Sequence, residues 1–202
     1  PYIAGTYVGS SGNLNKTPEQ LAKRLALFQR AGVTHVVTGW MTNDAGDASV
    51  IIDMLDTVWT TVTDAGFKAV HYTMLPKTDS ETDWKTLEAQ TPATGWEAGG
   101  SSRRGLVNAY IRSRPAPLFD YMEVSDFVEN GRDNGKWQVF PNSWGATPAS
   151  QTNDGLHPSL NNLATMTGGI PRMVDAAVLW LDQLLNPVTG TQPETTALVA
   201  RM

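Results

Sequence analysis

The sequence predicts an α/β fold in which a mostly parallel sheet lies between two layers of helices. Short β-branched runs alternate along the chain with longer segments of helical periodicity, and turn residues separate them. The 202 residues are 41% hydrophobic, which is enough for one domain with one sizeable core. Such alternation is typical of parallel sheets whose strands are connected by helices.

The first predicted strand covers residues 3–8, and a helix follows it. Thr17 can cap that helix, Pro18 suits its first position, and Gln20 completes a capping box. Gly32 is a favoured helix terminator, so this helix is expected to end just before it.

A second strand is predicted near residues 33–38, because this β-branched run resembles those of buried strands. Apolar residues then recur at helical spacing between Ile51 and Val62, and Gly66 marks the end of this second helix. The third predicted strand, residues 67–74, follows directly.

The second half of the chain continues the alternation with longer connections. A helix is predicted around residues 106–111 and a strand at 118–124. A long last helix is predicted at 160–185, which Pro171 should interrupt or restart. Together the elements predict a flavodoxin-like three-layer sandwich with all four strands in one sheet.

Two long stretches, residues 76–100 and 129–151, show no periodicity and are rich in Gly, Thr, Asn and Trp. Long irregular segments in a compact domain are more often functional than idle. In open parallel sheets, ligands bind beyond the carboxyl ends of the strands. Candidate site residues are therefore expected just after each strand and in these two stretches.

The composition excludes several classes of protein. The net charge of −5 argues against a nucleic-acid interface, which would show a basic stripe. The absence of cysteine excludes disulfides, a thiol nucleophile and cysteine-ligated metals. No apolar run approaches the roughly 18 residues of a membrane span. Three dispersed histidines do not support a metal site.

The sharpest chemical signal is a late Asp-Gly-Leu-His-Pro segment that contains Asp154 and His157. An Asp three residues before a His, with Gly155 between them and Pro158 after, predicts a tight turn that holds the pair together. A carboxylate bonded to one imidazole nitrogen leaves the other free to act as a general base. The structural alternative is a simple turn that caps the last helix.

Two weaker signals follow predicted strands. Asn43 follows strand 33–38, and its side-chain amide could donate a hydrogen bond to a developing oxyanion. The alternative is an Asn-Asp turn in which Asp44 or Asp47 caps the next helix. Gly12 follows strand 3–8, where a glycine lets the backbone approach a substrate closely, although an ordinary loop has the same composition.

The order of these residues resembles that of the SGNH/GDSL hydrolases over roughly residues 5–185. Gly12 matches the family's second block, Asn43 the third, and Asp154 and His157 the fifth, Asp-x-x-His. The resemblance implies a serine esterase without metal or organic cofactor. Gly12 and Asn43 would form the oxyanion hole, and Asp154 would orient His157, which activates the serine.

The chain departs from the family pattern in two blocks. Met41 stands where the third block usually has glycine, with Gly39 two residues earlier. No Gly-Asp-Ser occurs, and only 11 residues precede Gly12. Residues 1–202 are therefore expected to form a single SGNH-hydrolase-like domain without its N-terminal strand and helix. The nucleophilic serine would come from an N-terminal segment or a companion chain; in a rival alignment, Ser11 is the nucleophile.

The expected substrate is a short acyl ester, including an O-acetyl group on a carbohydrate. The alternative function is a non-catalytic receptor- or carbohydrate-binding module of a larger surface or viral fibre protein. The start at Pro1, without an initiator Met, suggests a processed or excised piece of a longer protein. The sequence does not fix the localisation, although a secreted or virion-associated protein is favoured.

The remaining conspicuous side chains are given structural interpretations. His35 is expected in the core and His71 in a structural role. Arg103, Arg104 and Arg112 are interpreted as a solvated helix face. Trp59 and Trp180 are predicted to be core residues, whereas four tryptophans in irregular segments are predicted to overhang the site: Trp40, Trp96, Trp137 and Trp144.

Overall fold

The computed structural model describes residues 18–39, 42, 46–81, 83–140, 149–159 and 169–186. The helices are α1 (Pro18–Arg30), α2 (Ala48–Asp64), α3 (Arg103–Arg112), α4 (Ser125–Val128) and α5 (Gly169–Leu185). The strands are β1 (His35–Thr38), β2 (Lys68–Tyr72), β3 (Thr78–Ser80), β4 (Gln90–Pro92), β5 (Asp120–Met122), β6 (Val139–Phe140) and β7 (Ala149–Ser150).

The main described sheet is parallel and has the order β1-β2-β5. Thr38 lies beside His71, and Tyr72 lies beside Met122. Three of the four predicted strands are therefore present in one sheet, whereas predicted strand 3–8 lies outside the described residues. The α/β prediction with a parallel sheet flanked by helices is confirmed.

Helices cover both faces of this sheet. Successive side chains of a strand point to opposite faces, so neighbouring residues of β2 belong to different cores. Ala69 of β2 belongs to one core with Trp59 of α2, and the neighbouring Val70 belongs to a second core with Trp180 of α5. Trp59 and Trp180 are buried, as the sequence predicts. The structure thus has the three-layer arrangement of helix, sheet and helix.

The helix boundaries follow the predicted stop signals closely. Gly32 and Gly66, with φ of +68° and +85°, terminate α1 and α2 in a conformation that suits glycine. The last helix is described only from Gly169 onward. Pro171 is the third residue of this described span, and a first turn can accommodate proline because it does not need the missing N–H. Residues 160–168, where the prediction began this helix, lie outside the described residues.

The interpretation of the three arginines as a solvated face is wrong. Arg104 is only 1% exposed and forms two hydrogen bonds with the carboxylate of Glu129, at 2.9 and 2.6 Å. Arg112 is mostly buried and binds Glu123 and Asp133. Arg103 is half-buried, with its guanidinium 4.4 Å from the centre of the Trp96 ring. Their acidic or aromatic partners come from other segments, which helical periodicity cannot show.

The two stretches predicted to be irregular contain short antiparallel pairs. β3 pairs with β4, and β6 pairs with β7. Trp96 and Trp137 are buried in the interior, so the prediction that they overhang the site is wrong. Trp40 and Trp144, which carried the same prediction, lie outside the described residues.

The two histidines outside the late motif differ in environment. His71 is completely buried, and its Nδ1 lies 2.5 Å from the hydroxyl oxygen of Thr38, which agrees with a structural role. His35 is only half-buried, so its prediction as a core histidine is wrong. Its ring packs at the surface of the second core, edge-on to Phe119 and Trp180.

Candidate active site

Asp154 and His157 lie in the loop between β7 and α5 and are joined at two points. Asp154 Oδ2 lies 2.6 Å from Nδ1 of the His157 ring. Asp154 Oδ1 accepts the backbone N–H of His157 at 2.7 Å. One carboxylate therefore holds both the ring and the backbone of His157, which fixes the orientation of the imidazole.

The charge on Asp154 determines which nitrogen of His157 carries the proton. Partial burial raises the pKa of the Asp154 carboxyl, but the backbone and ring hydrogen bonds of His157 and the backbone bond of Leu156 outweigh it and lower the pKa to about 2. Asp154 is thus ionised near neutral pH and accepts a hydrogen bond from Nδ1–H. Nε2 then keeps its lone pair, as a general base requires. The His157 side chain is 71% exposed, so a reactant can reach it.

Thr152 organises the turn that carries this pair. Its buried hydroxyl donates to the carbonyl of His157 at 2.7 Å and accepts the N–H of Gly155 at 3.0 Å. Thr152 also forms an antiparallel bridge with Pro158. The turn is therefore closed on itself before the chain continues toward α5.

Gly155 allows the turn to pack tightly against the β3–β4 pair. Its carbonyl accepts the N–H of Thr78 at 2.9 Å, and its φ is +75°. A Cβ at this position would lie 1.9 Å from the carbonyl oxygen of Thr78 and 2.6 Å from Nε1 of Trp84. Only glycine fits here, which explains why a glycine directly follows Asp154 in this motif.

The two predicted oxyanion donors, Gly12 and Asn43, lie outside the described residues, as does Ser11. Their convergence on His157 stays a prediction.

Gly39 and Gly46, which precede and follow Asn43 in the sequence, are described. Gly39 accepts the hydroxyl of Tyr72 at 2.7 Å, and Gly46 accepts Nη1 of Arg103 at 2.9 Å. These two described glycines are therefore bonded to β2 and to α3, respectively.

Gly39 has a packing role that the sequence pattern does not reveal. A Cβ on Gly39 would lie 1.5 Å from the ring of Tyr72, so the tyrosine ring occupies the space a side chain would need. This close approach accounts for a glycine directly after β1, although the matching family block would place it at Met41.

Sequence reasoning predicted the contact between Asp154 and His157 but missed the residues that hold their turn. Thr152 carried a local signal, because a threonine two residues before an aspartate commonly forms a side-chain-to-backbone turn. Thr78 and Trp137, which also donates to the carbonyl of Gly155, had no such signal because they are distant in sequence.

The described part of the chain meets the requirements of neither a metal site nor a membrane-spanning helix. No three His, Asp or Glu residues there are grouped closely enough to hold a metal ion. None of the helices within those ranges combines the length and apolar character needed to cross a membrane.

Comparison with known proteins identifies similar folds but no family. No protein-family model matches the sequence, and no curated protein matches it significantly. A proposed acylhydrolase from Bacteroides fragilis is similar in structure, with 12% identity and a TM-score of 0.50 over 85% of this chain and 72% of that one.

The periplasmic domain of a lipopolysaccharide acetyltransferase from Salmonella serovar Paratyphi A is also similar. It has 15% identity and a TM-score of 0.50 over 79% of this chain and 61% of that one. Such low identities show a shared fold alone. That fold is consistent with the SGNH-like architecture that the motifs predict.

Proposed function

We propose that this chain supplies the Asp–His pair of a serine-dependent acyl-ester hydrolase of the SGNH type. The observation that carries the proposal is the 2.6 Å contact between Asp154 Oδ2 and Nδ1 of an exposed His157. An exposed histidine can reach a substrate, and its bond to a carboxylate fixes the tautomer and orientation that a general base needs. Both similar structures belong to proteins named for acyl chemistry, which supports the same class of reaction.

The proposed reaction proceeds in two steps. A serine hydroxyl attacks the ester carbonyl carbon while Nε2 of His157 accepts the hydroxyl proton. The alcohol then leaves with that proton, and an acyl-serine remains. Water attacks the acyl group, His157 again accepts and returns the proton, and the carboxylic acid is released. Asp154 stays ionised and stabilises the imidazolium formed in each step.

The oxyanion formed in each step would be held by the Gly12 N–H and the Asn43 side chain. Donors aimed at developing negative charge are among the largest contributors to this kind of catalysis. Neither an organic cofactor nor a metal ion has a part in the proposed steps.

The nucleophilic serine is proposed to come from a segment outside these 202 residues or from a companion chain, because no Gly-Asp-Ser occurs in the sequence. Ser11 is the alternative nucleophile within the chain. Under either arrangement the reactive hydroxyl must reach Nε2 of His157 at about 3 Å.

The proposed substrate is a short acyl ester, including O-acetyl groups on carbohydrate. Release of acetate from p-nitrophenyl acetate and from an O-acetylated oligosaccharide tests this proposal on the assembly that contains the serine. His157→Ala should lower turnover by several orders of magnitude without unfolding the domain. Asn43→Ala should lower kcat by about 10²–10³-fold.

His35→Gln is the matched control, since His35 is a partly exposed histidine placed outside the site. Its turnover should equal that of the wild type. Unchanged hydrolysis in His157→Ala would overturn the proposal. Absence of hydrolysis in the wild type, together with binding of an intact glycan, would favour the non-catalytic binding module.

A further inference from the structure

A buried chain of hydrogen bonds leads from Gln90 to the turn that carries the acid–base pair. Trp137 donates its indole N–H to the carbonyl of Gly155 at 3.0 Å. The backbone of Trp137 is held by Gln90, whose Oε1 accepts the Trp137 N–H at 2.8 Å and whose Nε2 donates to the Trp137 carbonyl at 2.9 Å. Both side chains are almost completely buried.

The peptide between Gly155 and Leu156 connects this chain to the carboxylate. Its carbonyl accepts from Trp137, and its N–H donates to Asp154 Oδ1 at 2.9 Å. Rotation of this one peptide plane would disturb both bonds together. Trp137 therefore restrains a donor that helps to orient the carboxylate bonded to His157.

The second donor to the Gly155 carbonyl strengthens the restraint. Thr78 N–H donates to the same oxygen at 2.9 Å. Thr78 lies in β3, which pairs with β4, and Gln90 is the first residue of β4. The Gly155 carbonyl thus accepts from Thr78 of β3 and from Trp137. The backbone of Trp137 is in turn bonded to Gln90 of β4, the strand that pairs with β3, so both donors are fixed by the β3–β4 pair.

We infer that Trp137 is a positioning residue for the Asp154–His157 pair, acting through the Gly155–Leu156 peptide. The inference rests on the proposed esterase function. Loss of the indole N–H leaves one donor on the Gly155 carbonyl, so the peptide and the Asp154 carboxylate gain freedom to rotate. Small misplacements of a catalytic group are costly, and a fall in kcat of about 10- to 100-fold is expected.

Trp137→Phe removes this N–H while it keeps an aromatic ring in the buried site. The expected result is a lower kcat with an unchanged KM, because the turn orients the base and does not bind the ground-state ester. The downfield Nδ1–H proton resonance of His157 should broaden or shift, since it reports the bond to Asp154 directly.

Trp180→Phe is the matched control. Trp180 is also buried, and the substitution also removes an indole hydrogen bond, the one donated to Asp120 at 2.9 Å. Trp180 belongs to α5 and packs in the second core, and it makes no bond to the Gly155–Leu156 peptide. This variant should retain both kcat and the His157 resonance. If Trp137→Phe fails to fold, Gln90→Met provides the second variant, because it removes both side-chain bonds to the Trp137 backbone and should give the same selective fall in kcat.

The outcomes separate this inference from the proposed function. If His157→Ala abolishes hydrolysis but Trp137→Phe retains kcat and the His157 resonance, the positioning role is wrong and the esterase stands. Equal losses in Trp137→Phe and Trp180→Phe would also contradict it, since they would indicate general destabilisation. If His157→Ala leaves hydrolysis unchanged, the proposed function itself fails.

Discussion

Asp154 contacts His157 through both of its carboxylate oxygens: Oδ2 lies 2.6 Å from the ring Nδ1, and Oδ1 accepts the backbone N–H at 2.7 Å. Reorientation of the His157 ring would therefore break its bond to Asp154, the same residue that accepts the backbone N–H of His157. Because the carboxylate is ionised and can only accept, it selects the tautomer with the proton on Nδ1.

Asp154→Asn should lower kcat/KM for ester hydrolysis by about 10³–10⁴-fold. An amide can donate to Nδ1, which favours the tautomer whose Nε2 already carries a proton and cannot accept one from serine. Asp83→Asn is the control, because Asp83 lies at the surface and pairs with Lys85. Retention of more than about a tenth of the activity in Asp154→Asn would show that the pair does not act as proposed.

Gly155→Ala should destabilise the protein and abolish ester turnover. A methyl group at this position would overlap the Thr78 carbonyl, so the turn must move away from β3. Gly131→Ala is the matched control, because its φ is +90° but nothing lies within 4 Å of the added Cβ. The control should lose only the strain of positive φ, roughly 1 kcal/mol or about 2–4 °C in Tm. Similar melting temperatures for the two variants would contradict the role of the close contact.

His71 should make folding stability depend on pH. Burial lowers the pKa of its imidazole from 6.5 to about 3. The unfolded chain therefore binds a proton below pH 6.5 that the folded protein does not, so stability is complete above pH 6.5 and falls as the pH decreases toward 3. The loss between pH 7 and pH 5 should be roughly 2 kcal/mol.

Urea unfolding of the wild type and His71→Gln at both pH values measures this contribution. The difference in unfolding free energy between the two pH values should shrink by about that amount in His71→Gln. Burial and the nearby Lys68 also lower the pKa of the partly exposed His35, so His35→Gln should shrink the difference by a smaller amount. An unchanged pH dependence in His71→Gln would show that the imidazole is not the titrating group.

Arg104→Met should destabilise the fold by about 3–5 kcal/mol, because it leaves the buried carboxylate of Glu129 without its cation. The comparison variant is Lys85→Met, which breaks an ion pair whose side chains are 46% and 44% exposed and should cost less than about 1 kcal/mol. Chemical denaturation of the two variants gives both values. Equal costs would contradict a structural role for the buried pair.

The sequence predicted the features that depend on neighbouring residues. Continuous strand-like runs located β1 and β2, the first of them β-branched, and helical periodicity located α1 and α2. The bond between Asp154 and His157 was also accessible, because both residues belong to one turn with a glycine between them.

The features that sequence reasoning missed depend on distant partners. The partner of Arg104 is Glu129, 25 residues away, so α3 resembled a solvated helix by its pattern alone. The anchor of Gly155 is Trp137, 18 residues away and buried in a segment without periodicity. β3 has three residues, too few for an alternating pattern to be recognised.

Covalent labelling with an organophosphorus esterase reagent tests most directly whether His157 activates a serine. The active assembly should gain one adduct, with peptide mapping placing it on a serine outside these residues or on Ser11. His157→Ala should react slower by several orders of magnitude, and His35→Gln should react normally. Equal labelling of the wild type and His157→Ala, or ester hydrolysis by a wild type that forms no adduct, would contradict a serine mechanism that depends on His157.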